Sequence, residues 1–146
     1  MDLTTDPDFF ALLSGSHLRL VGSPLTDKTA QWVYEEAPFG LLAHDTAEDP
    51  RFIYANRTAQ SCFEYDWTEF VGLPSRLSAE AGDREQRERF VRSVERDGYV
   101  TGYRGRRIAR SGRRFWVEDL TMWNLVDEAG MYHGQAAVFH KWTHRT

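Results

Sequence analysis

A single cysteine, Cys62, among 146 residues excludes an intrachain disulfide framework and a cysteine-rich zinc site. No apolar run approaches the roughly 20 residues needed to span a bilayer, and the N-terminus lacks the basic-then-apolar pattern of a secretory signal. Positive charge is also in short supply. Against 22 Asp and Glu stand 18 Lys and Arg, a formal net charge of −4, whereas a dedicated nucleic-acid binder is usually basic. None of the five histidines forms an i,i+4 pair within a predicted helix, and in an extended strand His133 and His140 point to opposite faces, so no shared metal ion is expected. Neither a Gly-rich phosphate loop nor a Ser-His-Asp order is visible, and no catalytic residue is assigned. The expectation is a cytoplasmic protein with neither a membrane nor a nucleic acid as partner.

What the chain has instead is aromatic and β-branched residues in short runs. With 41% hydrophobic and 14% aromatic residues, it can fold by burial as one domain. Residues 113–142 read as a β-hairpin, two such runs around the turn Asp127-Glu128-Ala129-Gly130. A third run, 99–109, joins it through Arg110-Ser111-Gly112-Arg113, where Ser-Gly signals a turn. Upstream, 39–44 and 52–55 read as two further strands. Asp6-Pro7 opens a first helix carrying Phe9, Phe10, Leu13, Leu20 and Val21, which ends at Gly22. Thr26 or Asp27 caps a second helix, with Trp32 and Val33, that stops before Pro38. Asn56 caps a helix over 57–65 with Ala59, Cys62 and Phe63 on one face, and 67–71 is a helical turn. A helix over 83–97 is capped by Asp83, with Gln86 reaching back as in a capping box. Phe90, Val91 and Val94 form its apolar stripe, and its Arg and Glu residues cover the outer face. This order predicts an α+β fold: one five-stranded antiparallel sheet with helices on one face. An N-terminal helical cap, 1–37, forms a single domain with 38–146.

Particular strings narrow the fold. Phe52-Ile53-Tyr54-Ala55-Asn56 entering a helix, then Phe63-x-Tyr65, Glu69-Phe70-x-Gly72 and Pro74, resembles the strand-to-helix segment of a PAS domain. A closer likeness is to the MEKHLA domain, a PAS-related family. It rests on Gly72-Leu73-Pro74-Ser75-Arg76-x-Ser78-Ala79-Glu80 and on Ser111-Gly112-Arg113-Arg114-Phe115. It continues through Trp123-Asn124-Leu125-x-Asp127-Glu128-x-Gly130-x-Tyr132-His133-Gly134-Gln135-Ala136-Ala137. The likeness covers nearly the whole chain, most densely after Asn56. It implies a PAS-like fold, with any ligand held between the concave face of the sheet and the helices. Light-oxygen-voltage PAS domains carry Asn-Cys-Arg where this chain has Pro74-Ser75-Arg76, so a hydroxyl of far higher pKa replaces the thiol nucleophile. The two flavin-contacting Asn positions fall on Arg107 and Val117, and the Gln of the last strand is displaced by one residue, at Gln135. Flavin is therefore not expected, and no other cofactor is assigned.

The candidate ligand pocket comprises Tyr54, Asn56, Ser75, Arg76, Val117, Asp119, Trp123 and Gln135. Strict alternation from Phe115 puts Val117, Asp119, Thr121 and Trp123 on one face of their strand, unless a bulge swaps the phase. Trp123 is expected to wall a small pocket, facing either the helices or the N-terminal cap, with Asn124, Gln135 or Ser75 as partner for its N–H. Of Glu118 and Asp119, one is expected in solvent and the other in an ion pair with Arg76 or Arg107. Gly134, Ala136 and Ala137 make the last strand thin enough for close approach by a ligand, by Trp123 or by Trp116. Arg104, Arg106, Arg107, Arg110, Arg113 and Arg114 form either a surface for anions or an edge hairpin kept unpaired by charge.

These readings predict a non-catalytic sensory or interaction module in signalling, able to take a small apolar ligand. Two alternatives stand beside it: a dimerising structural module without ligand, and a small enzyme with an unrecognised site. The N-terminal helices carry more apolar residues than a short cap needs, notably Phe9, Phe10, Leu13, Leu20 and Trp32, which predicts a homodimer. With no output domain attached, a sensor is expected to signal through a protein partner.

Overall fold

A computed structural model describes residues 2–144. Helix α1, Pro7–Val21, starts where Asp6 accepts hydrogen bonds from the N–H groups of Asp8 (2.8 Å) and Phe9 (3.1 Å). Helix α2, Ala30–Glu35, is capped by Thr29 rather than by Thr26 or Asp27. Thr26 turns instead to the N–H of Lys28 (3.0 Å). Strands β1 (Gly40–His44) and β2 (Phe52–Ala55) follow, then α3 (Arg57–Phe63) and α4 (Trp67–Phe70). A reciprocal capping box between Asp66 and Glu69 closes the start of α4. After two 3-10 turns comes α5, Arg84–Asp97. Asp83 gives α5 no side-chain cap, because its two oxygens accept from Arg106 at 2.9 and 3.0 Å. Gln86 in turn accepts from the Tyr103 hydroxyl at 2.9 Å, so the predicted capping box does not form. Strands β3 (Tyr99–Ile108), β4 (Arg114–Val126), β5 (Tyr132–Phe139) and β6 (Lys141–His144) complete the described residues.

The strands form one antiparallel sheet in the order β2-β1-β5-β4-β3, with β6 pairing β4 beyond the end of β5. Five strands were predicted. The structure breaks the last of them at His140, so six are present among the described residues. The break sits opposite a bulge in β4. Leu120 pairs with Tyr103 while Val117 pairs with Gly105, so β4 spends one residue more than β3 over this interval. Asp119 absorbs the extra residue at φ 53°, a left-handed conformation that Asp tolerates better than most side chains.

That bulge reverses the alternation. Phe115, Val117, Leu120 and Met122 all face one side, where they pack with Phe63, Phe70 and Phe90 of α3, α4 and α5. Trp123 and Leu125 face the other side, with Leu41 and Ala43 of β1 and Phe9, Leu13 and Val33 of α1 and α2. The N-terminal helices thus spend most of their apolar surface on the sheet of their own chain. Leu18, 53% exposed, is what they leave uncovered, while Phe10, Leu20 and Trp32 are partly buried. Asn56 ties the two layers together. Its Oδ1 accepts from the N–H of Leu41 (3.0 Å) and Ala59 (3.1 Å), and its Nδ2 donates to the carbonyls of Val33 (3.0 Å) and Phe39 (2.9 Å).

Candidate functional site

Between the sheet and α5 lies a cavity of about 40 Å³. Its walls are mainly apolar, with Phe90, Val117, Leu120, Met122 and Ala137 among them. A small set of polar side chains breaks that lining: His44, Ser78, Arg87, Arg107 and Gln135. Concave, largely apolar surfaces with a few convergent polar groups are the usual form of a small-molecule site.

The polar groups are held from three directions. Gln135 on β5 is fully buried, and its Nε2 donates to the Val91 carbonyl of α5 and to Asn124 Oδ1 on β4, both at 3.1 Å. Those two bonds fix the amide orientation and leave Gln135 Oε1 without a partner. His44 on β1 is the register partner of Gln135. Its Nδ1 lies 3.0 Å from the Asp45 carbonyl, which can only accept, so Nδ1 carries a proton. Its buried Nε2 is unpartnered, as it does not meet hydrogen-bond geometry with Gln135. Arg87 projects from α5 and the buried Arg107 from β3. Arg107 donates to its neighbour's carbonyl, Arg106 O, at 2.8 Å and lies 5.6 Å from the Tyr103 ring.

Charge is distributed unevenly around this cavity. Five of the six hairpin arginines pair with carboxylates: Arg104 with Glu118 (3.2 Å), Arg106 with Asp83 (2.9 Å), Arg110 with Glu69, Arg113 with Glu64 (3.0 Å) and Arg114 with Glu80 (2.8 Å). The basic hairpin is therefore largely neutralised at its surface. Among the described residues, no carboxylate comes within ion-pair distance of Arg107 or of Arg87. Burial first, and the positive charge of Arg107 second, pull the Arg87 guanidinium down to about 9, although part of that residue reaches solvent.

The candidate pocket residues separate in three dimensions. Val117 and Gln135 line the cavity. Tyr54 packs on the cap side with Phe9, Tyr34 and Trp67, and Asn56 is spent on its four structural bonds. Ser75 is buried in a 3-10 turn where its carbonyl accepts from Ser78 Oγ (2.7 Å), and it is Ser78 that reaches the cavity. Arg76 is exposed and pairs with Asp49 at 3.2 Å, and Asp119 is exposed on the bulge. Trp123, fully buried, stands on the opposite face of the sheet. Its indole N–H donates to the Leu13 carbonyl of α1 (3.2 Å), and its ring meets His17 edge-on with centroids 4.8 Å apart. The thin last strand is explained on both faces. Trp123 lies across from Ala136, Ala137 opens onto the cavity, and a Cβ on Gly134 would stand 2.0 Å from the His44 carbonyl oxygen.

Arg87 is the residue that composition and motif did not single out. The signal was in the spacing: 87, 90, 91 and 94 fall at i, i+3, i+4 and i+7, which places an arginine on the apolar stripe of α5.

Burial lowers the pKa of His44, and Arg87 adds to the effect, while the Asp45 carbonyl, Gln135 and the Asp45 carboxylate oppose it. Burial also lowers His17, against the carbonyl of Ser23. Both rings are depressed in the folded state, so the unfolded chain takes up protons first, near the ordinary histidine value of about 6.5. Stability is therefore expected to fall as pH drops below about 6.5. The lowered carboxylates, such as Asp83 and Glu80, act only below about pH 4.5. Urea midpoints at pH 7 and pH 5 check this. The midpoint at pH 5 is expected to be lower, and the drop smaller in H17F, whose ring cannot take up a proton.

Sheet order, three helices over one sheet face and a cavity between them define a PAS-type domain. Solved structures share the fold. The PAS domain of a protein from Colwellia psychrerythraea superposes with a TM-score of 0.64 at 20% identity, over 73% of this chain and 87% of that one. The blue-light photoreceptor Vivid, from a fungus and solved as a light-state dimer, gives 0.61 at 18% identity, over 85% of this chain and 90% of that one. The Erythrobacter litoralis blue-light activated histidine kinase EL346 gives 0.61 at 21% identity, over 76% of this chain but 34% of that one. A model of the MEKHLA domain matches residues 8–144, and the chain belongs to that family. Among curated proteins none matches.

Proposed function

We propose that this MEKHLA domain is a non-catalytic sensory module that takes a small ligand in the cavity between sheet and α5. The observation that carries the reading is an apolar cavity whose lining includes Gln135 and His44, each with a buried polar atom, Oε1 and Nε2, that has no partner. Such atoms are costly unless something completes them. Family and structural neighbours support a sensory signalling module. A signal has a short path. Met122 lies on the cavity face of β4, and its neighbour Trp123 is bonded to α1 on the other. Occupancy that shifts β4 therefore bears on the N-terminal helices, where a protein partner or a second copy can read it.

A non-catalytic role fits the nucleophiles. Burial pushes the Cys62 thiol up to about 11, away from a reactive thiolate, and Ser78 donates into its own turn. A flavin fits poorly. Ser75 stands in the thiol's place, Arg107 and Val117 in place of amides, and about 40 Å³ is far below the roughly 300–1,000 Å³ of pockets for larger ligands. Among the described residues no group of three His, Cys, Asp or Glu could hold a metal, and no helix is long and apolar enough to cross a membrane.

The purified protein is expected to be colourless, with no flavin or haem band. Native mass spectrometry of the same sample is expected to show a small adduct that collisional activation removes. An adduct-free mass, together with no response to any added small molecule, would reject the sensory reading in favour of a structural module. Homodimerisation through the exposed Leu18, Tyr99, Met131 and Tyr132 belongs to the same proposal, and the fungal neighbour's dimeric state supports it. Light scattering at tens of micromolar is the check, and a monomer mass would exclude it.

A further inference from the structure

We propose that the cavity is built for a small organic anion, a short-chain carboxylate bearing a hydroxyl or N–H, with Arg87 and Arg107 as its anchors. The inference rests on reading the cavity as a ligand site and adds the chemistry of the ligand. Arginine in a protein of net charge −4 seldom lacks an acid, and here the hairpin arginines around Arg107 all have one. Arg107, 93% buried by its 7% exposure, and Arg87 line the same apolar space and repel each other. The carboxylate whose charge reaches Arg107, Asp83, already has both oxygens on Arg106. Two like charges with no anion between them are unfavourable, and a carboxylate between two guanidinium forks is the complement they lack.

The remaining polar atoms specify more. With Nδ1 protonated, neutral His44 offers Nε2 as an acceptor, and Gln135 Oε1 is an acceptor fixed by its own donors. Both accept, so they call for a donor on the ligand. The walls at Phe90, Val117 and Met122 suit an apolar body. A volume of about 40 Å³, at roughly 10–15 Å³ per water-sized group, limits that body to a few carbons.

The test uses propanoate, its uncharged counterpart propanamide, 2-hydroxypropanoate and 1-propanol, each titrated into the full chain with the Met122 methyl resonance as readout. Propanoate is expected to shift that resonance saturably, propanamide to bind at least tenfold more weakly, and 2-hydroxypropanoate at least threefold more tightly. Arg87→Met is expected to weaken propanoate at least tenfold, with R107M doing the same, while R89M, an exposed change on the same helix, leaves it unaltered. Ligand-free R87M is also expected to melt higher than wild type by about 2–4 °C, because it removes a desolvated, unpaired charge. That rise separates lost binding from lost folding. Equal binding of acid and amide, or propanoate binding unchanged in R87M, would overturn the inference. A response to 1-propanol with none to the acids would also overturn it while leaving the cavity a ligand site. Silence towards all four would overturn the inference, and only together with an adduct-free native mass would it count against the ligand site as well.

Discussion

Asn56→Ala is expected to be among the most destabilising single truncations in this domain, at about 4 kcal/mol or more. The side chain is fully buried and makes four hydrogen bonds, to Leu41, Ala59, Val33 and Phe39. Ala removes all four and leaves four backbone groups from α2, the α2–β1 connection, β1 and α3 to find partners in the interior. An orphaned buried group costs about 1–3 kcal/mol, against a total of about 5–15 kcal/mol for a whole domain. Asn56→Asp is a sharper probe. Its carboxylate can still accept from Leu41 and Ala59, but it can donate to neither Val33 nor Phe39, and at neutral pH it sets a charge against two carbonyl oxygens. N56D is therefore expected to be at least as damaging as N56A at pH 7 and to recover part of the loss as acid protonates it. Urea unfolding of the three proteins measures this. A midpoint for N56A within about 1 kcal/mol of wild type would show that water or repacking replaces the amide.

Trp123→Ala is expected to cost about 3–5 kcal/mol from lost packing, with a further penalty for the Leu13 carbonyl, which the indole N–H now satisfies. Trp123→Phe keeps a ring against His17 and loses only that hydrogen bond and some area. It should cost far less. The two variants also test which side of the sheet the indole serves. A tryptophan that walled the ligand cavity would alter ligand occupancy on replacement by Phe. With Trp123 on the α1 side, W123F is expected to leave propanoate binding unchanged and to speed amide exchange in α1. Hydrogen exchange resolved by segment provides the comparison. Faster exchange in α5 with α1 unaffected would contradict the placement.

Local chemistry makes much of this fold readable along the chain. Asp6-Pro7, Asn56 and Gly22 mark helix ends because caps are made by residues within a few positions, so sequence holds the whole interaction. The turns at Ser111-Gly112 and at residues 127–130 are legible for the same reason, since Gly112 and Gly130 supply the positive φ that those turns need. The apolar stripe of α5 follows from period alone. Resemblance of strings along the chain then fixes the family and, through it, the sheet.

Tertiary structure decided what period could not. The bulge at Asp119 inserts one residue into β4, and since side chains alternate with a period of two, one residue moves every later side chain to the other face. Val117 and Trp123 share a face by counting and lie on opposite faces in the fold, and the expected pocket divided with them. Long-range competition for partners decided the rest. Asp83 leaves the helix it could cap because Arg106, 23 residues away, offers it two charged bonds. Pairing of the same kind takes up the other surface arginines of the hairpin. The cavity is assembled from β1, β3, β4, β5 and α5, elements distant in sequence, so the meeting of Arg87, Arg107, His44 and Gln135 has no local signature. Composition determined that the chain could bury a core, and spacing determined where helices and turns begin. Only packing determined which charges end up facing one another without an acid between them, because desolvation and pairing depend on neighbours that the chain brings together only when it folds.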